Sequence, residues 1–311
     1  MSLSFSRLLF LSIVCIFLQL YSANAQLTGT KNIPGDYADL AAAINDLNIQ
    51  GVGAGGVILN LVAGNPQTAP GGGYSITTAT GTLANQIIIQ GNGNTVTAFT
   101  PQTSGNLNDA IFKIIGADWI TITGFAMQEN VSNTVSSPTG SNNMTEWGVA
   151  FLYASLTNGS QNNTILNNTI SLNRSYPNTF GIYSNVQHSA TSVTITANIT
   201  NASTGPNNNN KIYGNNISNV NNGITMIGCF AVGFHDSGND IGGTSAATGN
   251  TISDWGGAAP ASGYVSVSTT SSNCIYMDNE VSDNVSYNTI ISAAVTPTVT
   301  FRGIVDRKSV V

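Results

Sequence analysis

Charge is what this 311-residue chain has least of: 7% of its residues are charged, 8 Lys and Arg against 14 Asp and Glu, for a formal charge of −6. Phosphate recognition needs clustered cations, so this balance argues against a nucleic-acid role. It would equally repel an anionic polysaccharide unless a metal bridged the two. Cysteine is scarce as well, with three in the chain, and Cys15 sits in the leader described next. The remaining Cys229 and Cys274 suffice for one disulfide, which export would permit. Two buried thiols behaving as small apolar groups are the alternative, favoured here because a stacked β fold needs no staple.

Long apolar runs are also missing, apart from Leu8 to Leu20, which follows Arg7 and precedes the small-x-small site Ala23-Asn24-Ala25. These are the three parts of a secretory signal peptide, residues 1–25, with cleavage before Gln26. The run falls short of the roughly 20 residues of a membrane span. Cys15 lacks the preceding small residues of a lipid-attachment site. The mature chain, residues 26–311, is therefore expected outside the cell, secreted or on the surface, with no membrane span. Losing Arg7 leaves 7 basic against 14 acidic residues, a charge of −7.

Helical periodicity is absent after residue 48. Before it, PGDYADLAAAINDLN (34–48) places Tyr37, Leu40, Ala41, Ile44 and Leu47 at helical spacing. Asp36 reads as the N-cap, which predicts a helix over 36–48. From there on, Ile, Val and Thr recur in short bursts between Gly and Asn clusters, a pattern of many short strands rather than disorder. Tight two-residue hairpin turns are few, since Asn-Gly occurs at 158–159 and 222–223 while most joins are longer Asn, Ser and Gly clusters.

What the chain does have is repetition. NNTILNNTIS (162–171) returns as NNKIYGNNIS (209–218), with weaker copies in GNTISDW (249–255) and DNEVSDNV (278–285). The steps Ile165 to Ile212, Ile212 to Ile252 and Ile252 to Val281 are 47, 40 and 29 residues. Uneven intervals around a persistent frame suit a solenoid whose coils carry outward loops. In coils stacked about 4.8 Å apart, equivalent residues lie over one another. Ile165, Ile170, Ile212 and Ile217 would then build apolar columns. Asn163, Asn168, Asn210 and Asn215 would form hydrogen-bonded ladders at the bends, where Asn also tolerates left-handed backbone.

The helix PGDYADLAAAIND followed by GGVILNLVAG, then IIIQGNG, WITITGF and the Asn frames, resembles the right-handed parallel β-helix proteins of the pectate-lyase-like superfamily, in its secreted bacterial surface branch. NDIGGTSAATGNTIS (239–253) is similar to a loop of large bacterial β-helix repeat proteins. The resemblance spans most of residues 30–305. It implies an all-β fold, a right-handed parallel β-helix capped at its N-terminal end by the 36–48 helix. It does not fix an activity, because this fold hosts lyases, hydrolases, esterases, adhesins and inert stalks.

Sugar-cleaving members of such a family would carry carboxylates and a basic residue, sometimes with calcium, on one outer sheet. His235, Asp236 and Asp240 in GFHDSGNDIGG are candidates for proton transfer, set against a reading as plain loop residues. Asp278 and Glu280 alternate in MDNEVSDNV, which would put them on one strand face able to hold calcium, with Asp283 nearby. Arg174 and Lys211 form no recognisable arrangement with them. The paired Arg of pectate lyases, the Asp-Phe-Ile-Phe-Gly stretch of pectin methylesterases, and the Asn-Thr-Asp and Gly-His-Gly stretches of polygalacturonases are all missing. His188, in SNVQHSATS, reads as a solvated loop residue. Trp119 is expected in or beside the core, while Trp147 and Trp255 follow loop stretches from which they could be exposed; burial is expected for each. The Thr-x-Thr pairs at 121–123, 194–196 and 298–300 should point outward.

These features point to an exported, non-catalytic β-helix module, a stalk or adhesin able to bind a polysaccharide or cell-surface glycan. A polysaccharide lyase or glycoside hydrolase is the competing expectation. The tail after TVTFRGIV has neither a helical pattern nor a closing turn, so further coils and a cap are expected beyond this sequence.

Overall fold

The computed structural model describes residues 26–77, 81–103, 107–134, 143–189, 203–257, 271–293 and 299–307. The proposed signal peptide, the Thr-x-Thr pair at 194–196 and part of the pair at 298–300 lie outside them. Within them the chain is a parallel β-helix: seven successive coils each contribute one strand to each of three parallel sheets, and Leu27–Ile33 adds an eighth strand to the first sheet. One coil, for example, runs Lys211–Tyr213 in the first sheet, Asn216–Val220 in the second and Asn222–Ile227 in the third. Among the described residues no helix is long and apolar enough to cross a membrane.

Because equivalent residues stack, side-chain alternation turns into columns. The first sheet's inward column is Leu59, Ile89, Ile122, Ile165, Ile212, Ile241 and Val285. The second sheet supplies Val96, Met127, Ile170, Ile217, Ile252 and Ile290. The third runs Tyr74, Phe112, Val149, Ile182, Ile224, Ile275 and Ile304. A fully buried Ile side chain contributes roughly 1.5–3 kcal/mol, so each column stabilises the stacking of one coil on the next.

The stacking also corrects the alignment of the weaker repeats. Asn250 and Ile252 of GNTIS sit under the second Asn–Ile unit of the frame, Asn215 and Ile217, not the first. The first unit of that coil is Asn239–Ile241, and residues 242–249 intervene as a loop between the halves. In the next coil the first unit is Asp283–Val285, and Val281 lies outside it. Steps at the first bend are 47, 29 and 44 residues, and at the second 47, 35 and 38.

The capping helix, α1, spans Leu40–Gln50, shorter at its start than expected. Its N-cap is Asp39, whose side chain accepts from Ala42 N–H at 2.8 Å. Asp36 instead accepts from Asn32 N–H at 2.7 Å, closing the preceding turn. Leu40, Ala43, Ile44 and Leu47 of α1 are buried against the open end of the first coils.

A feature not anticipated is a column of small residues at the entry to the third sheet: Gly148, Gly181, Gly223 and Cys274. A Cβ on Gly181 would come within 2.4 Å of Ile217 Cγ2 and 2.8 Å of the Gly223 carbonyl oxygen. The third sheet can turn in against the second-sheet isoleucines only because this position is nearly empty. Cys229 and Cys274 are both buried thiols not joined by a disulfide, and burial pushes the Cys274 thiol up.

At the other end, Thr300–Arg307 pairs with Ser271–Asp278, and among the described residues no strand pairs with its far edge, with Ile304 54% exposed. Asp306 occupies an inward position there, over Met277, while Arg302 continues the outer column of Trp147 and Phe180. Charges at inward positions are one way an edge strand resists further pairing.

Candidate functional site

Each Asn-Asn pair of the frame divides two jobs. The first residue takes the left-handed bend: Asn162 (φ 58°), Asn209 (φ 57°) and Asn167 (φ 53°). The second is buried and carries the ladder. Asn210 Oδ1 accepts from Asn163 N–H at 3.0 Å, and Asn239 Oδ1 accepts from Asn210 N–H at 2.9 Å. At the next bend Asn168 N–H donates to Asn215 Oδ1 at 3.0 Å, and Asn215 Nδ2 donates to Asn250 Oδ1 at 3.0 Å. That ladder ends on Asn288.

The first ladder ends differently. Its last rung is Asp283, which accepts from Asn239 N–H at 2.7 Å, while Asn239 Nδ2 donates to Glu280 Oε2 at 2.8 Å. Asp236 pairs in register with Glu280 on the adjacent coil and is wholly buried. Burial, then the neighbouring carboxylates, push Glu280 far above the usual carboxylate range. Burial does the same to Asp236, with Asp283 adding to it against the nearby backbone amides of Asn207 and Cys229. Asp283, less buried, is pushed up to about 6. Burial therefore favours the protonated form of Glu280 beside Asp283 at the end of the ladder.

This placement breaks up the expected catalytic and metal sets. His235 donates from Nδ1 to the Cys229 carbonyl oxygen at 2.7 Å. Asp236 is inside the bend, while Asp240 lies on the outer face of the first sheet, accepting from Tyr213 Oη at 2.5 Å, Gly243 N–H at 2.9 Å and Asn284 Nδ2 at 2.8 Å. Asp278 and Glu280 do not share a face. Asn279 between them is left-handed (φ 57°), so alternation fails and Glu280 turns inward while Asp278 lies beside Tyr276 Oη. Among the described residues no group of three or more His, Cys, Asp or Glu side chains is placed to hold a metal ion.

Trp147 and Trp255 are buried as expected, whereas Trp119 is only half-buried. Trp147 is fully buried on the outer side of the third sheet, stacked on Tyr183 with centroids 4.9 Å apart, and Trp255 packs on Phe301 at 5.3 Å. His188 is not in a loop: the strand Phe180–Ser189 carries it beneath Tyr183, whose hydroxyl lies 2.7 Å from Nδ1. Burial lowers His188 to about 3, so it is neutral. A second buried polar knot went unread in the sequence. Glu146 accepts from Asp109 N–H at 2.9 Å and Tyr176 Oη at 3.1 Å, and Lys113 donates to the Asn108 carbonyl oxygen at 3.1 Å. Arg174 pairs with Asp254 at 3.2 Å.

The half-buried tryptophan is Trp119, and it lines a groove. In the register of the first bend it stands over Asn162 and Asn209, with the same left-handed backbone (φ 59°). Two adjoining cavities of about 440 and 290 Å³ share Leu83 and Gln86 and together follow the outer face of the first sheet. Its floor is an in-register row, Ile58, Ile88, Thr121, Thr164, Lys211 and Asp240. The turn Thr82–Asn85 raises Leu83, 70% exposed, as one wall. The row thus passes from apolar through hydroxyl to charged.

No family model, curated protein or solved structure matches this chain. The reading of function therefore rests on the geometry alone.

Proposed function

We propose that this chain is an exported, non-catalytic β-helix module of a cell-surface or secreted protein, a stalk or adhesin in the manner of the pectate-lyase-like superfamily, with a glycan as its partner. The observation that carries the reading is the dispersal of its acids. Acid–base cleavage of a glycosidic bond requires two carboxyls facing one another across a substrate, roughly 5–10 Å apart. Here Asp236, Glu280 and Asp283 are spent on the end of a structural ladder. Asp240 is held by three donors on a different face. The leader sequence supports export, and the exposed strands with few charges suit a surface scaffold. Turnover assays on acidic and neutral polysaccharides, with and without calcium, should give neither new reducing ends nor unsaturated products. Sustained release of either would return the chain to the lyases or hydrolases.

A further inference from the structure

We propose that the groove on the outer face of the first sheet binds one extended chain of a neutral polysaccharide, laid along the solenoid axis with a sugar face against Trp119. This deepens the reading of the chain as a glycan-binding module and rests on it.

The first argument is that Trp119 serves no need of the fold. The coils that follow it hold Asn162, Asn209, Gly238 and Ser282 in its place, all left-handed. Asn and Gly meet that demand at little cost, whereas a bulky residue there is an outlier. The interior beside it is already filled by Ile120 and Ile122. An indole kept half-exposed at a strained position, over a cavity, is well placed for stacking.

The second argument is the lining. Gln86, Thr121, Asn162, Thr164 and Asn209 offer both donors and acceptors, as sugar hydroxyls require. The single cation and single anion of the lining, Lys211 and Asp240, cancel formally. Asp240 is already engaged by Tyr213, Gly243 and Asn284. The one ion pair among the described residues is Arg174–Asp254, so Lys211 keeps its ammonium for ligand oxygens. With no net local charge and an acidic molecule around it, the groove favours an uncharged chain over a uronate polymer.

The third argument is shape. Six floor positions about 4.8 Å apart make a track roughly 24 Å long, which suits a linear polymer better than a compact ligand. An extended peptide would gain most from a free strand edge, and this groove lies on a paired sheet's face.

Isothermal titration should use hexamers of β-1,4-linked glucose and of β-1,4-linked N-acetylglucosamine, with hexagalacturonate as the charged arm. The protein variants are Trp119→Asn, which restores the residue native to that column, and Thr164→Arg, which blocks the floor. At least one neutral hexamer should bind, and each variant should weaken it tenfold or more while circular dichroism stays unchanged. Unaltered binding by both folded variants would place the glycan elsewhere, overturning the groove and leaving the module reading intact. Tighter binding of hexagalacturonate than of either neutral hexamer would overturn the ligand class. No binding by any hexamer at millimolar concentration would overturn this inference and the glycan partner with it.

Discussion

Asn167 and Asn168 are neighbours in sequence with opposite duties, and substituting each in turn tests the ladder directly. Asn168 Oδ1 accepts from Phe125 N–H at 3.0 Å, and its Nδ2 donates to the Ile122 carbonyl oxygen at 3.0 Å and to Asn215 Oδ1 at 3.1 Å. Leu at 168 has about the same bulk and can make none of these bonds. Asn215 Oδ1 keeps the Asn168 backbone N–H and Ile122 C=O keeps its ladder partner, so each loses one bond while Phe125 N–H is stranded outright. A stranded buried group costs about 1–3 kcal/mol and each of the two lost bonds about 1 kcal/mol, and the added apolar burial returns about 1 kcal/mol. Asn168→Leu should therefore destabilise by about 2–4 kcal/mol. Asn167 has φ 53°, and the coils on either side hold Gly124 (φ 72°) and Gly214 (φ 62°) in its place. Asn167→Gly should change stability by less than about 1 kcal/mol. Urea unfolding of residues 26–311, followed by circular dichroism with m-values compared for two-state behaviour, gives both numbers. If the two variants lose stability equally, or Asn168→Leu loses under about 0.5 kcal/mol, the ladder does not hold the bend.

Asp283→Asn should turn the last rung of the first ladder back into Asn. Raised carboxyls contribute stability that is full below about pH 4 and lost as pH rises through the folded value, about 6 for Asp283. His188, held neutral, works the other way below its ordinary range, so the readout is the difference between wild type and variant. Asp283→Asn should gain about 2 kcal/mol, discounted for partial exposure, on wild type between pH 4.5 and pH 8; parallel profiles would mean that the Asp283 carboxyl is not raised by folding. Gly181→Ala should cost about 1–3 kcal/mol by overpacking against Ile217 and the Gly223 carbonyl, and a neutral result in thermal melts would mean the third sheet can shift outward. Cys229 and Cys274 should react with a thiol reagent only after unfolding, and reductant should leave the melting temperature unchanged; rapid labelling of the folded protein would contradict their burial. The exported protein should begin at Gln26 on N-terminal sequencing, and retention of Arg7 would refute the signal peptide.

The solenoid was legible because its causes are local. A strand two or three residues beyond an Asn-Asn pair, repeated, carries its own period, and Ile165, Ile170, Ile212 and Ile217 land in the columns that period dictates. Asn163, Asn168, Asn210 and Asn215 likewise sit at the bends their spacing marks. What the sequence did not reveal was anything depending on which coil lies over which. A loop inserted inside a repeat, as at 242–249, shifts the apparent register, so GNTIS was matched to the wrong half of the frame. One left-handed residue, Asn279, sends Asp278 and Glu280 to different sides. The small-residue column WGV, FGI, NGI and NCI is readable in retrospect, but its reason, the approach of Ile170, Ile217 and Ile252, exists only in the folded stack. The groove belongs to that second class too: its floor residues Ile58 and Asp240 are 182 positions apart in the chain. Local pattern determines how each coil bends and what it buries; the stacking order alone decides which outward side chains become neighbours, because contacts between coils follow position in the stack and not distance along the chain.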